Sequence, residues 1–156
     1  MPSVVISHLI CTTALVILIL IMPVFYNIIV NNILEDTIQR ELKEIADYVA
    51  NTLENLYFLA NSTNIENLTL EKKLIYLPSY VENEVFVVEV MDAGENSSEI
   101  SVYLKDKPWI SADSWLYFPG LRVGTEHFLE SGRGMAIAWC SRSGQHIYIG
   151  VKVESN

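Results

Sequence analysis

MPSVVISHLICTTALVILILIMPVFYNIIVNNIL, residues 1–34, contains no Asp, Glu, Lys or Arg, and all ten basic and nineteen acidic residues of the 156-residue chain lie after it. At about 1.5 Å per residue a run of that length exceeds the roughly 30 Å hydrocarbon core of a bilayer. The sequence therefore predicts one membrane-spanning helix over residues 1–34. Its densest apolar part is residues 14–22, preceded by the more polar Ser7, His8, Cys11, Thr12 and Thr13. Those hydroxyls can bond back to carbonyls one turn earlier without interrupting the span. A cleavable secretory signal expects a basic start, an apolar core of about 7–15 residues and a small-residue cleavage site. None of the three is present, so the anchor is expected to stay on the protein.

Orientation is read from two opposed signals. Arg40 and Lys43 follow the span and no basic side chain precedes it, which favours a cytoplasmic C-terminus. Against them stand three N-glycosylation sequons, at Asn61, Asn67 and Asn96, and a net charge of −9 placed wholly after residue 34. Long domains translocate largely regardless of charge, so the expectation is a single-pass protein of the cell membrane with its C-terminal domain outside.

Beyond the span, Ile38, Leu42, Ile45, Val49, Leu53, Leu56 and Ala60 recur at helical steps, with polar residues between them and no Gly or Pro from residue 24 to 60. That is one apolar stripe on an α-helix. Span and stripe are expected to form a single rod, kinked near Pro23, which removes a helical hydrogen bond. The stripe has two readings, a face on which the following domain packs or a seam for a partner helix; its steps fit a heptad over less than four repeats.

From Asn61-Ser62-Thr63-Asn64 onward the pattern changes to short β-branched and aromatic runs between turn residues. Strands are expected at residues 73–77, 85–91, 99–105, 121–129, 135–140 and 147–153, the last two joined by a turn at Ser141-Arg142-Ser143-Gly144. Ile100, Val102 and Leu104 alternate as one inward face, and Ile147, Ile149, Val151 and Val153 as another. Trp109, Trp115 and Trp139 are expected to give the core its bulk. The predicted fold class is α+β: a long N-terminal transmembrane-plus-stalk helix followed by a small antiparallel β-sandwich or curled sheet. The domains read as an anchor at 1–34, an amphipathic stalk at 35–61 and an external β-domain at 62–156.

Catalytic chemistry is not written in the chain. His8, His127 and His146 form no HxH or HExxH, and Cys11 and Cys140, one in the span and one in the soluble part, form neither a CxxC nor a disulfide with each other. Ser131-Gly132-Arg133-Gly134 and Ser143-Gly144 lack the GxSxG of a nucleophile elbow and read as turns. No phosphate-cradling glycine motif occurs, paired carboxylates such as Glu82 and Glu84 discriminate nothing on so acidic a chain, and its charge argues against nucleic acid. No enzyme, metal or cofactor is expected.

An apolar N-terminal helix continuing into an amphipathic stalk and then a small β-domain resembles the type IV pilin-like proteins. The residues that carry the likeness are Pro2-Ser3-Val4-Val5-Ile6-Ser7 through Met22, then Pro23, and the stalk from Asn31 to Ala60. The short basic leader and the Glu just inside the helix that mark filament pilins are missing. The chain is closer in that respect to uncleaved relatives among archaeal filament machines, including archaellum stator-type proteins. Leu74-Ile75-Tyr76-Leu77-Pro78-Ser79-Tyr80-Val81 and Val85-Phe86-Val87-Val88-Glu89-Val90 are likewise similar to strand pairs of archaeal pilin-like proteins.

The resemblance implies an assembly component of a cell-surface filament or envelope machine. Its partners would be membrane lipid and other pilin-like or envelope proteins, or further copies of itself, met through the N-terminal helix. Ser3, Ser7, Thr12 and Ala14 form the small and hydroxylated face available for helix association in lipid. The alternative is a membrane-tethered binding module for an envelope polymer or small ligand, with Tyr80, Trp109 or Trp115 as contacts. For the uncleaved anchor, intact-mass measurement on membrane-extracted protein should show Pro2 and Asn156 in one species; a mature form beginning within residues 8–30 would contradict it.

Overall fold

The computed structural model describes residues 2–63, 65, 67–94 and 96–154, with the backbone alone for residues 2–5. The side chain of Ser3 and all of Asn64 therefore lie outside the described residues. A single helix, α1 (Pro2–Ser62), passes through Pro23 and is followed by eight strands. The chain divides into two compact units, Met1–Thr37 and Ile38–Asn156.

In the first unit the side chains of residues 6–34 are exposed throughout, apart from a half-buried Val30. By length and composition this helix could cross a membrane. Its hydroxyls do what the sequence predicts: Thr12 Oγ1 donates to the carbonyl of His8 at 2.9 Å, and Thr13 Oγ1 to that of Leu9 at 2.8 Å. A polar side chain is thereby satisfied within its own helix.

The second unit begins where α1 acquires a buried face. Ile38, Leu42, Ile45, Val49, Leu53, Leu56 and Ala60 are all buried, joined by Ala46, Ala50 and Tyr57. The stripe is occupied by the protein's own β-domain, which removes the reading of these positions as a seam for a partner helix. Residues 38–60, set apart in the sequence as a stalk, belong to the same compact unit as the strands.

The strands are β1 (Asn67–Lys73), β2 (Phe86–Gly94), β3 (Ser97–Leu104), β4 (Ser111–Tyr117), β5 (Leu121–Val123), β6 (Phe128–Glu130), β7 (Ala136–Ser143) and β8 (His146–Val153). They form two four-stranded sheets, in the orders β1-β7-β8-β5 and β4-β3-β2-β6. All pairings are antiparallel except β5 with β8. The predicted alternation holds at full strength in β3, where Ile100, Val102 and Leu104 are completely buried. Together with Val88 and Val90 of β2 and Ile149 and Val151 of β8 they share one core with α1.

Three contacts fix the direction of the helix over the domain. Lys43 Nζ donates to the carbonyl of Asp113 at 2.7 Å, Tyr57 Oη to that of Pro119 at 2.8 Å, and Arg142 Nη1 to that of Ala60 at 3.1 Å. From Lys43 to Tyr57 a helix advances about 21 Å, and from Asp113 to Pro119 an extended chain advances about 20 Å. Helix and β4 thus run side by side in the same direction.

Four expectations are corrected. The first strand is β1 and not residues 73–77: Leu74 dives into the core while Ile75 and Tyr76 turn outward, the turn closed by the amide of Leu77 on the carbonyl of Leu74 at 3.1 Å. The run at 121–129 is two short strands in different sheets, separated by a crossing at residues 124–127. The hairpin turn after β7 is Gly144-Gln145, with Ser143 paired to His146 and Gly144 at φ 61°. The fourth concerns the tryptophans, and with them the strand β4 that the sequence does not reveal.

Trp109 and Trp115 are 68% and 47% exposed, and the core is filled instead by Phe86, Leu42, Leu53 and Leu129. In β4 the large residues Trp115 and Tyr117 face outward, while Ala112, Ser114 and Leu116 face inward. Small and polar residues on the inner face hide the strand's period from a reading based on hydrophobicity. Trp139 is half-buried on the opposite face of β7 from Ala138 and Cys140, and glycines make its seat. A Cβ on Gly124 would lie 2.1 Å from the indole, and one on Gly150 would lie 2.0 Å from the carbonyl of Glu126, which accepts the indole N–H at 3.0 Å.

A buried-leucine truncation leaves a cavity costing about 2–5 kcal/mol. Leu53→Ala should therefore lower the unfolding free energy by about that much, whereas Leu59→Ala, at a position 57% exposed, should stay within about 0.5 kcal/mol of the parent. Denaturant titration of detergent-solubilised protein, followed by tryptophan fluorescence, measures both.

Candidate functional site

One charged cleft of the β-domain is lined by side chains already committed to one another. The cleft of about 530 Å³ between Glu126, Glu130, Arg133, Lys152 and Glu154 has the mixture of charges an acid–base site would need. Its Glu130 Oε1 lies 2.6 Å from Lys105 Nζ, and Glu130 Oε2 lies 2.8 Å from Arg133 Nη2. The hydrogen bond from Lys105, aided by Arg133, holds the Glu130 carboxyl below the usual carboxylate range. Lys152 reaches Glu71 at 2.7 Å and Glu126 at 3.6 Å, and the bond to Glu71 raises its ammonium above the ordinary lysine range. A general acid or base needs a pKa near the working pH; these shifts move both groups away from it.

The remaining candidates are scattered. His127 Nδ1 lies 3.1 Å from the carbonyl of Thr125, whereas His146 sits in the β7–β8 hairpin beside Asp92, Asn96 and Arg122 around a shallow cleft of about 450 Å³. His8 is exposed on the apolar helix. Cys140 is fully buried, and burial pushes its thiol up to about 11, so it offers no thiolate. Among the described residues no group of three His, Cys, Asp or Glu side chains is placed to hold a metal ion.

A different surface lies along the helix. Glu41, Glu44 and Tyr48 of α1 face Tyr76, Pro78 and Tyr80 across a groove of about 550 Å³, where the Tyr48 and Tyr76 rings meet edge to face at 6.1 Å. Tyr76 and Tyr80 are 79% and 55% exposed. On β4, Trp115 and Tyr117 lie nearly parallel with centroids 6.1 Å apart, both open to solvent. Sequence reasoning placed Trp115 in the core. Its i, i+2 spacing to Tyr117 is the signal that could have marked a shared outward face.

The sequons differ in what the fold does with them. Asn61 and Asn67 are exposed, at the end of α1 and the start of β1. Asn96 is a structural turn residue: its φ is 69°, its Oδ1 accepts the amide of Gly120 at 2.8 Å and its carbonyl accepts that of Phe118 at 3.0 Å. The hydroxyl of Ser98, the third residue of that sequon, is completely buried. Ser7, Thr12 and Ala14 lie on the exposed apolar helix. Comparison with known proteins adds no identity: no family model, no curated protein and no solved structure matches the chain.

Asn96→Ala removes the clamp on the β4–β5 turn, worth about 1–2 kcal/mol, and leaves at φ 69° a residue without the short polar side chain that lets Asn adopt left-handed backbone. The domain should unfold earlier in denaturant by that order, and Asn96→Gly, which tolerates the backbone, should lose less. Equal stability of Asn96→Ala and the parent would make the clamp irrelevant.

Proposed function

We propose that this chain is a single-pass, membrane-anchored and non-enzymatic assembly component, pilin-like in layout, whose apolar helix joins partners within the membrane and whose acidic β-domain lies outside the cell. One observation carries the reading. The most apolar window of α1 has no residue buried, while the apolar stripe from Ile38 to Ala60 is covered by the chain's own strands. Exposed Ile, Leu and Val side chains in such number are unfavourable in water, so residues 6–34 are suited to lipid and to neighbouring helices.

In lipid the hydrophobic effect no longer drives association, and close packing of small residues and hydroxyl hydrogen bonds takes its place. Ser7, Thr12 and Ala14 supply such positions. Thr12 and Thr13 already donate within the helix, which leaves their oxygens as acceptors. The exposed sequons at Asn61 and Asn67 and the acidic domain support an external location.

A second reading is favoured by the exposure of Tyr80, Trp109 and Trp115, since aromatic faces free of the core can contact an envelope polymer or a sugar. A soluble fragment testing it must begin at Ile38. A fragment beginning at residue 62 would remove ten buried apolar side chains from the core, from Ile38 to Ala60.

The assembly reading is tested by replacing residues 3–24 with an unrelated leucine-rich span of equal length and crosslinking in membranes. Loss of partners with normal insertion is the expected outcome; equal recovery would reduce the helix to a tether. Externally added protease should cut the β-domain on intact cells stripped of any surface layer, and cleavage only after lysis would reverse the orientation.

A further inference from the structure

The β-domain has two distinct ends, and the chain enters at one of them. The contacts from Lys43 to Asp113 and from Tyr57 to Pro119 place the start of β4 beside the beginning of the buried part of α1. Ser111, where β4 starts, lies two residues before Asp113, about 7 Å further back along the strand. That distance corresponds to about four helix residues, which brings the β3–β4 loop that carries Trp109 about level with Ile38. The loops at 75–85 and 131–135 gather at the same end: Lys107 Nζ meets Glu84 Oε1 at 2.6 Å, the amide of Lys105 donates to the carbonyl of Val85 at 2.9 Å, and that of Ser131 to Phe86 at 2.9 Å.

This end carries large exposed aromatics among ion-paired charges. Trp109 and Tyr80 are 68% and 55% exposed, while Lys105 and Arg133 pair with Glu130 and Lys107 with Glu84. The tryptophan is presented on a fixed turn. Lys107 N donates to Leu104 O at 3.2 Å, Ile110 N to Lys107 O at 2.9 Å, and the neighbouring Ile110 is buried as a peg. An indole held out in water by an ordered loop costs hydration free energy that an internal packing role would have avoided.

Chain connectivity says what covers it. Only Glu35, Asp36 and Thr37 separate the last residue of the charge-free run from Ile38, so this end of the domain begins within a few residues of the bilayer if residues 1–34 span it. Tryptophan and tyrosine favour the membrane–water interface, where the ring meets acyl chains and the polar edge meets headgroups. We infer that the end of the β-domain formed by the loops at 78–85, 105–110 and 131–135 is a lipid-facing surface, with the Trp109 indole seated among the headgroups. The inference rests on the anchored reading of residues 1–34 proposed above.

The test uses the full chain reconstituted in phosphatidylcholine vesicles, compared with vesicles of the same lipid brominated near the glycerol end of its acyl chains. Bromine quenches only tryptophans at that depth. Of three tryptophans, Trp109 alone is placed at this end; Trp115 and Trp139 are controls. The brominated lipid should quench up to about a third of the emission of the parent and of Trp115→Phe, and little or none of Trp109→Phe. Protein that floats with the vesicles but shows equal quenching, or none, in the parent and Trp109→Phe overturns the lipid-facing surface and leaves the anchor standing. Protein that does not float with the vesicles overturns the anchor, and this inference with it.

Discussion

One face of residues 38–60 closes the core of both sheets, and the rest of the second unit depends on that burial. Leu42, Ala46, Val49, Leu53 and Ala60 have no accessible surface, and each large apolar side chain so covered contributes about 1.5–3 kcal/mol. Ala46 and Ala50 keep the helix surface low enough for the strands to approach, while Phe86, Ile100, Leu104 and Ile149 fill the space beneath. Two sheets of four strands, two of the strands only three residues long, would otherwise present their inner faces to water. Because the same helix continues into a charge-free run, the segment suited to a membrane and the lid of the domain are one covalent element.

The outer surface of the domain is organised by pairing rather than by chemistry. Lys105 and Arg133 share Glu130, Lys107 holds Glu84, Lys73 meets Glu154, and Lys152 bridges Glu71 and Glu126. Surface pairs of this kind each contribute little, yet they occupy the groups an active site would need free. The surface also exposes aromatic side chains: Trp109 on its loop, the Trp115 and Tyr117 pair on β4, and Tyr76 and Tyr80 of the groove beside α1. That distribution suits contact with lipid, polymer or protein surfaces better than turnover of a bound substrate.

Legibility of the candidate surfaces followed the type of signal each residue gives. Helical and strand periods expose apolar faces, so the stripe of α1 and the inner faces of β3 and β8 could be read directly. Tryptophan carries no such sign, since its size suits a core and its indole N–H suits a boundary. Trp109 and Trp115 were therefore expected inside and lie outside, and only Trp139 found partial cover, over glycines at 124 and 150 far apart in sequence. The Asn96 sequon carried a similar ambiguity: the same triplet that marks a glycan acceptor supplies a left-handed turn residue whose amide oxygen clamps Gly120.

By itself the sequence determined the division of the chain: a charge-free helix long enough for a bilayer, an amphipathic continuation, and a set of alternating strands after residue 62. Those features follow from local periodicity and from where ionisable groups are tolerated, both legible one residue at a time. Tertiary structure decided the rest. The stripe of α1 is spent on the chain's own core, residues 121–130 are divided between two sheets with β5 parallel to β8, and Trp109 and Trp115 are left on the outside. Each of these depends on contacts between residues distant in sequence, where the burial gained by the whole arrangement outweighs the preference of any single segment.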